Sequence, residues 1–211
     1  MAVYDLEEQE SIAALNAWWA QYGRLVIAAA VAFVLGVGGI QGWRHWKSKQ
    51  SMQAAAVFGE VEDAARVGDS AKTADMAGRV RKDFARTAYG ARAALLAAKA
   101  SFDAGKPDEA ADWLAWAADN ARDPQTAALA ALRLAGVRLD QKKYPEALQA
   151  LERAHPEPFA ALFADARGDV MVAQGNPEEA RKAYQVALDK LPKSSAYRNV
   201  VEIKRDALGG G

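Results

Sequence analysis

The strongest constraint on this chain is an uncharged apolar stretch near its N-terminus. Residues 25–43 lie between Arg24 and Arg44 and contain 19 residues without a single charge. As a helix this stretch would span about 28 Å, close to the ~30 Å hydrocarbon core of a bilayer. Amphipathic aromatic side chains, which concentrate at membrane–water interfaces, stand at both ends of the stretch: Trp18, Trp19, Tyr22, Trp43 and Trp46. The stretch therefore predicts one transmembrane helix.

A buried core helix and a cleavable signal peptide are the alternatives. A signal peptide begins with basic residues and ends at a small-residue cleavage site. Here the preceding segment is acidic, and the stretch runs into Gly-Trp-Arg-His-Trp at 42–46. We therefore expect an uncleaved anchor, with Gly38 and Gly42 on one helix face as the candidate contact for another helix. The anchor residues are Leu25, Val26, Ile27, Phe33, Leu35, Ile40 and Trp43.

The charges are divided unevenly around the anchor. Residues 1–24 form an acidic segment of net charge −3, whereas residues 44–51 form a basic juxtamembrane linker with Arg44, Lys47 and Lys49. By the positive-inside rule, this difference alone favours a cytosolic position for the body of the chain. The whole chain has 27 basic and 27 acidic residues, and this balance argues against nucleic-acid binding.

The body of the chain, residues 52–208, has the composition and periodicity of packed helices. Alanine, the best helix former, accounts for 50 of the 211 residues. Apolar residues recur at spacings of three and four, and no alternating strand pattern is present. Short Gly- and Pro-containing segments divide the body into helices of 12–18 residues, at 68–69, 105–107, 123–124, 143–145, 155–158, 175–177 and 191–192. The prediction is an all-α fold. Residues 209–211 form a glycine tail.

Three of these breaks open similar segments, at 105–117, 142–154 and 175–187. Their aligned Glu-Ala pairs are 37 and 33 residues apart. Each segment places small residues at two positions of a helix and a large residue between them, so that the preceding helix can approach closely. The predicted packing residues are Ala110, Leu114, Ala117, Ala147, Leu151, Ala154, Ala180, Tyr184 and Ala187, with Gly168 before the last copy and Gly175 at its start.

No pattern that carries chemistry is found in the sequence. There is no cysteine, and the two histidines are His45 and His155. Phosphate-binding loops, zinc-protease motifs and serine-hydrolase motifs are absent. The prediction is a non-enzymatic protein without cofactor or metal. For Trp113 and Trp116, three residues apart on one helix, packing is favoured over partner binding.

The period of the repeats resembles the tetratricopeptide repeat, whose helix pairs stack into a solenoid with a concave binding surface. Local motifs extend the resemblance over essentially the whole chain. Gly42-Trp43-Arg44 at the end of the anchor and Ala-Asp-Ala-Arg-Gly-Asp at 164–169 are similar to motifs of the YfgM family, as is Leu-Arg-Leu-Ala at 132–135. His45 and Gly136 depart from those motifs, since an aromatic residue and an arginine are usual there.

The resemblance implies a single-pass inner-membrane protein with a cytoplasmic N-terminus and a periplasmic repeat domain. It also implies an ancillary subunit that associates with the SecYEG translocon and the chaperone PpiD. Such a subunit would pass translocating polypeptides to periplasmic chaperones. This topology conflicts with the charge bias, and we give the resemblance precedence because long domains translocate largely regardless of charge. A cytosolic-facing scaffold for another membrane complex is the alternative.

Overall fold

In the computed structural model the backbone is described for residues 3–209 and side chains for residues 10–209. Residues 1–2 of the predicted acidic segment and 210–211 of the glycine tail lie outside the described residues, as do the side chains of Asp5, Glu7 and Glu8. The described chain is helical throughout and contains no strand. The predicted all-α fold is therefore confirmed.

The helices follow one another with short connections. They are α1 (Val3–Arg66), α2 (Ser70–Phe84), α3 (Ala88–Asp103), α4 (Pro107–Asn120), α5 (Pro124–Asp140), α6 (Tyr144–Leu151), α7 (Ala160–Ala173), α8 (Pro177–Lys190) and α9 (Tyr197–Asp206), with a 3-10 turn at Glu157–Phe159 before α7. The chain divides into two compact units, Met1–Lys49 and Gln50–Gly211.

The first unit consists of helix α1 up to Lys49. Nearly all of its described side chains are exposed, among them Leu25, Phe33 and Leu35 at 66%, 72% and 70%. Residues 44–51, predicted as a linker, are helical. By length and composition, α1 is the one helix among the described residues that could cross a membrane.

The second unit is a row of helix hairpins. The last part of α1 contacts α2 and α3 through Phe58 and Val61, which share a buried cluster with Ala77 and Val80 of α2. The hairpins α3–α4, α5–α6 and α7–α8 follow, and α9 packs on the last of them. The first helices of neighbouring hairpins touch one another, α3 with α5 and α5 with α7. They therefore line one common face of the unit.

The turns inside the hairpins share one backbone geometry. Gly105, Lys142 and Gly175 have positive φ angles of 74°, 59° and 77° directly after a first helix. In each case the next residue donates its N–H to a carbonyl five residues earlier, as in the bond from Lys106 to Ser101 of 2.9 Å. This is the Schellman helix end, which favours glycine. In the middle repeat Lys142 adopts this positive-φ conformation. The middle repeat therefore keeps the same turn although it has a lysine where the other two repeats have a glycine.

One break was not predicted from the sequence, because it contains neither Gly nor Pro. Helix α2 ends at Phe84 and α3 begins at Ala88. The hydroxyl of Thr87 donates to the carbonyl of Phe84 at 2.8 Å and accepts from the backbone N–H of Tyr89 at 3.3 Å. Thr87 is therefore an N-cap, a role that threonine favours and that a search for capping residues would have found.

Candidate binding groove of the repeat domain

The predicted packing residues bring the two helices of each hairpin together. Those on the second helices α4, α6 and α8 are at most 3% exposed: Ala110, Leu114, Ala117, Ala147, Leu151, Ala180, Tyr184 and Ala187. Gly168 of α7 is buried as well, and a Cβ atom there would lie 2.3 Å from Cε1 of Tyr184. The small residues thus allow the close approach that places the Tyr184 ring between α7 and α8.

Two of the predicted packing residues are placed differently. Gly175 is exposed, and its place in the fold is the positive-φ turn rather than an interface. Ala154 is also exposed, because α6 ends at Leu151, before the helix reaches it. After α6 the ring of His155 stacks on Phe163 with centroids 3.8 Å apart. The chain thus packs on α7 through His155 instead of continuing as a helix, and Ala154 is exposed to solvent.

A groove runs between the first helices α3 and α5. Its volume is about 420 Å³. Leu95, Phe102 and Val137 provide its apolar lining, and Phe102 is 43% exposed. At Gly136 the space around a Cβ atom is open, so the absent side chain leaves room in the groove. An apolar floor of this kind suits the side chains of a polypeptide segment.

Charged residues border this groove in opposite pairs. Lys99 and Asp103 of α3 form an ion pair of 2.5 Å, while Arg133 and Asp140 of α5 are exposed on the other side. The rim therefore carries both signs of charge. Such a rim is solvated, and it offers polar partners to a bound chain without strong selection for its net charge.

At one end of the groove, Asp108 at the start of α4 forms hydrogen bonds with residues at the end of α5 and in the turn after it. Its Oδ1 accepts hydrogen bonds from Lys143 at 2.8 Å, from Gln141 at 3.0 Å and from Arg138 at 3.2 Å. The bonds from Lys143 and Gln141 lower the pKa of Asp108 to about 2. The turn of the first hairpin is thereby joined to the turn of the second, at the end where α3 and α5 stop.

A second polar cluster joins α9 to the last hairpin. Asp165 of α7, only 4% exposed, accepts from the Tyr197 hydroxyl at 2.6 Å and from Lys204 Nζ at 2.9 Å. Asp169 accepts from the Tyr184 hydroxyl at 2.8 Å and from Lys204 at 2.9 Å. Burial, together with these hydrogen bonds, raises the pKa of both tyrosines. The lysine thus compensates two carboxylates and fixes α9 on α7.

This cluster accounts for two residues of the 164–169 motif whose role was not visible from the sequence. Asp165 and Asp169 meet Tyr197 and Lys204, which come from a helix about thirty residues further along the chain. Only the fold brings them together. Within the described part of the chain, no group of three or more His, Cys, Asp or Glu residues has the arrangement of a metal site.

Trp113 and Trp116 lie on α4 and are both half-buried. Trp113 packs against the cores on both sides of α4. The Arg81 guanidinium of α2 lies over both rings, 5.4 Å from the Trp113 centroid and 5.2 Å from that of Trp116. The two rings therefore join α2 and α4 through Arg81, while each tryptophan keeps part of its surface exposed.

The chain matches a known protein family over most of its length. The tetratricopeptide repeat-like domain family matches residues 16–210. A protein of Neisseria gonorrhoeae named ancillary SecYEG translocon subunit is 34% identical over 205 residues, which are 96% of this chain and 98% of that protein. The chain belongs to this family of translocon subunits with a tetratricopeptide repeat-like domain.

Further members of the family have the same name and nearly the same extent. The Escherichia coli K12 protein is 30% identical over 213 residues, 99% of each chain. The Haemophilus influenzae protein is 32% identical over 187 residues, 87% of this chain and 90% of its own. These names describe an accessory subunit of a translocon rather than an enzyme. The match includes the apolar part of α1 together with the hairpins.

Proposed function

We propose that this protein is a non-enzymatic, membrane-anchored adaptor of the Sec translocon. The near full-length similarity to ancillary SecYEG translocon subunits carries the proposal. The apolar part of α1 supplies the anchor, since its side chains are exposed and its length matches a bilayer core. The anchor at 25–43 keeps the chain beside SecYEG, and Gly38 and Gly42 allow a translocon helix to approach because nothing lies within 4 Å of a Cβ atom at either one.

In this proposal the hairpin domain lies in the periplasm and binds polypeptides that leave the translocon. The groove between α3 and α5 takes apolar side chains of the emerging polypeptide on Leu95 and Phe102. The bound segment then passes to periplasmic chaperones, of which PpiD is the partner implied by the family resemblance. The mixed charge of the rim supports a site that accepts many sequences, as a hand-off step requires.

Binding of the emerging polypeptide to the groove is tested with a photo-cross-linking amino acid in place of Phe102. The full chain is used, in membranes that contain an arrested translocating polypeptide. We expect a cross-link to the polypeptide from position 102. The matched control is Val186 of α8, an exposed apolar residue on a second helix, where we expect none. Equal cross-linking from both positions, or from neither, would contradict a specific role of the groove.

Localisation by the anchor is tested by deleting residues 1–50 and purifying SecYEG. We expect the remaining helical domain to be lost from the SecYEG fraction, because the contacts that localise it belong to the anchor. Full retention of the shortened chain would show that the hairpin domain is itself the localising element.

The alternative, a cytosolic-facing scaffold for another membrane complex, is favoured by the basic residues after the anchor. Ser194→Cys separates the two topologies, because Ser194 is exposed and the chain has no cysteine. A membrane-impermeant maleimide is expected to label this variant in intact spheroplasts. Labelling that requires permeabilised cells would place the domain in the cytosol and refute the adaptor.

A further inference from the structure

A cluster of basic side chains lies at the end of α2 and on the turn before α5. Arg81, Lys82, Arg86 and Arg122 are all exposed. Arg122 donates to the backbone carbonyl of Arg86 at 2.8 Å, which holds the Arg122 guanidinium beside the chain segment that carries Arg86. Because the acceptor is a neutral carbonyl, the bond places Arg122 near Arg86 without neutralising its charge.

Among the described residues, no carboxylate lies within ion-pair distance of these four side chains. Arg79, at the edge of the same segment, does have a partner in Glu60 at 4.0 Å. The four cluster residues form no ion pair in the described part of the chain, and Arg81 faces the Trp113 and Trp116 rings instead. Residues 79–87 contain four basic residues and one acidic residue, Asp83. The result is a basic surface with tryptophan beside it.

The chain itself determines which anionic surface this cluster meets. Residues 44–53 separate the apolar stretch from Ala54, the first fully buried residue of the hairpin unit. Even a fully extended segment of that length would reach no further than about 36 Å. With the apolar stretch in a bilayer, as proposed above, the start of the hairpin unit stays within that distance of the membrane. A short tether of this kind gives the lipid phosphates an effective concentration on the order of millimolar.

We propose that the basic cluster Arg81, Lys82, Arg86 and Arg122 binds the anionic phospholipid headgroups of the membrane to which the chain is anchored. The guanidinium groups donate to headgroup phosphates, and the half-buried tryptophans beside them are of the residue type that suits the interfacial layer. Each basic residue near an anionic surface strengthens such binding about fivefold. This role does not depend on SecYEG, so it goes beyond the adaptor function and can be tested without the translocon.

The test uses the full chain with Asp83→Cys, whose single thiol carries a fluorophore at the centre of the cluster. The protein is placed in nanodiscs of phosphatidylcholine, with or without phosphatidylglycerol, and each type contains the same amount of a headgroup-nitroxide lipid that quenches on contact. We expect quenching several-fold greater with phosphatidylglycerol, and its loss in 1 M salt, where the Debye length is about 3 Å. A fluorophore at Ser194→Cys is expected to give equal quenching in both discs. Recovery of the chain with the discs tests the anchor separately.

Charge variants decide whether the cluster itself is responsible. Reversal of Lys82, Arg86 and Arg122 to Glu should remove the dependence on phosphatidylglycerol. The matched control reverses three basic residues that are also exposed and form no ion pair among the described residues, Lys72, Arg167 and Lys193, and should leave it intact. Helical circular dichroism checks the fold of both variants, and the salt titration of the labelled Asp83→Cys chain without charge reversals stands independently of it. Equal quenching in the two discs, or equal loss in both triple variants, would overturn the proposal.

Discussion

Gly168→Ala tests the packing of the last hairpin more sharply than any other single change. The added methyl would lie 2.3 Å from Cε1 and 2.5 Å from Cδ1 of Tyr184, well inside van der Waals contact. The ring cannot simply swing aside, because Tyr184 is 2% exposed and its hydroxyl donates to Asp169 at 2.8 Å. Either α7 and α8 separate, or the hydrogen bond and the burial of the ring are lost.

The magnitude follows from two opposing effects. Overpacking a buried contact costs about 1–3 kcal/mol of the free energy of unfolding. Replacing a helical glycine by alanine returns about 1 kcal/mol through helix propensity. We therefore expect Gly168→Ala to lower the free energy of unfolding by up to about 2 kcal/mol, as the balance of these two contributions.

Gly136→Ala is the matched control on α5. It is the same chemical change in a helix, but nothing lies within 4 Å of the new methyl. We expect this variant to gain up to about 1 kcal/mol, since only the propensity effect remains. The assay is urea unfolding of the full chain in mild detergent, followed by circular dichroism at 222 nm. If both variants were stabilised equally, the close contact between Gly168 and Tyr184 would be refuted.

Further expectations concern charge, capping and the tryptophans. Lys204→Met leaves the buried Asp165 without its lysine and should lower the free energy of unfolding by about 1–3 kcal/mol, as measured by urea unfolding. The loss is smaller than for a fully buried pair because the lysine is 30% exposed, and an unchanged stability would contradict the network. Asp123→Asn tests a pH dependence, because the hydrogen bond from the Thr126 N–H lowers the pKa of Asp123 in the folded state. The carboxylate therefore stabilises the fold above its pKa in the unfolded chain, and this contribution is lost as the pH falls through its pKa in the folded chain. The difference between the two proteins should therefore be constant near neutrality and shrink below about pH 4, and a difference that grows on acidification would have the wrong sign. Arg81→Ala removes the cation above Trp113 and Trp116 and should red-shift tryptophan emission with a loss of about 0.5–1 kcal/mol, whereas an unchanged spectrum would contradict that contact.

Local signals were sufficient to predict most of the fold. Gly and Pro stand at all the breaks that the sequence analysis predicted, and α4, α5 and α8 each begin with a proline. The turn at Thr87 was missed because its signal is a capping hydroxyl rather than Gly or Pro. The position of Ala154 was also missed, because the repeat pattern does not report that α6 ends early, at Leu151.

The candidate sites were less accessible to sequence reasoning, for a physical reason. In the cluster around Asp165 and Asp169, the hydrogen-bonded partners are 15 to 39 residues apart along the chain. No local sequence pattern can therefore predict these contacts. The same holds for Arg122 and Arg86, which are 36 residues apart and meet through a backbone carbonyl. Periodicity predicts which face of a helix is buried, but not which charged side chain the neighbouring helix brings to it.

The attachment of Asp108 to three side chains of the next turn has a mechanical consequence. It joins the two hairpins where α3 and α5 end, so any opening of the groove that keeps these bonds would have to begin at the other ends of the two helices, with this edge as the hinge. Since the pKa of Asp108 is about 2, acidification over the range in which most carboxylates titrate leaves the hinge charged and intact. Added salt weakens the same exposed contacts. Ionic strength, rather than pH, therefore sets how stiffly the groove resists being opened.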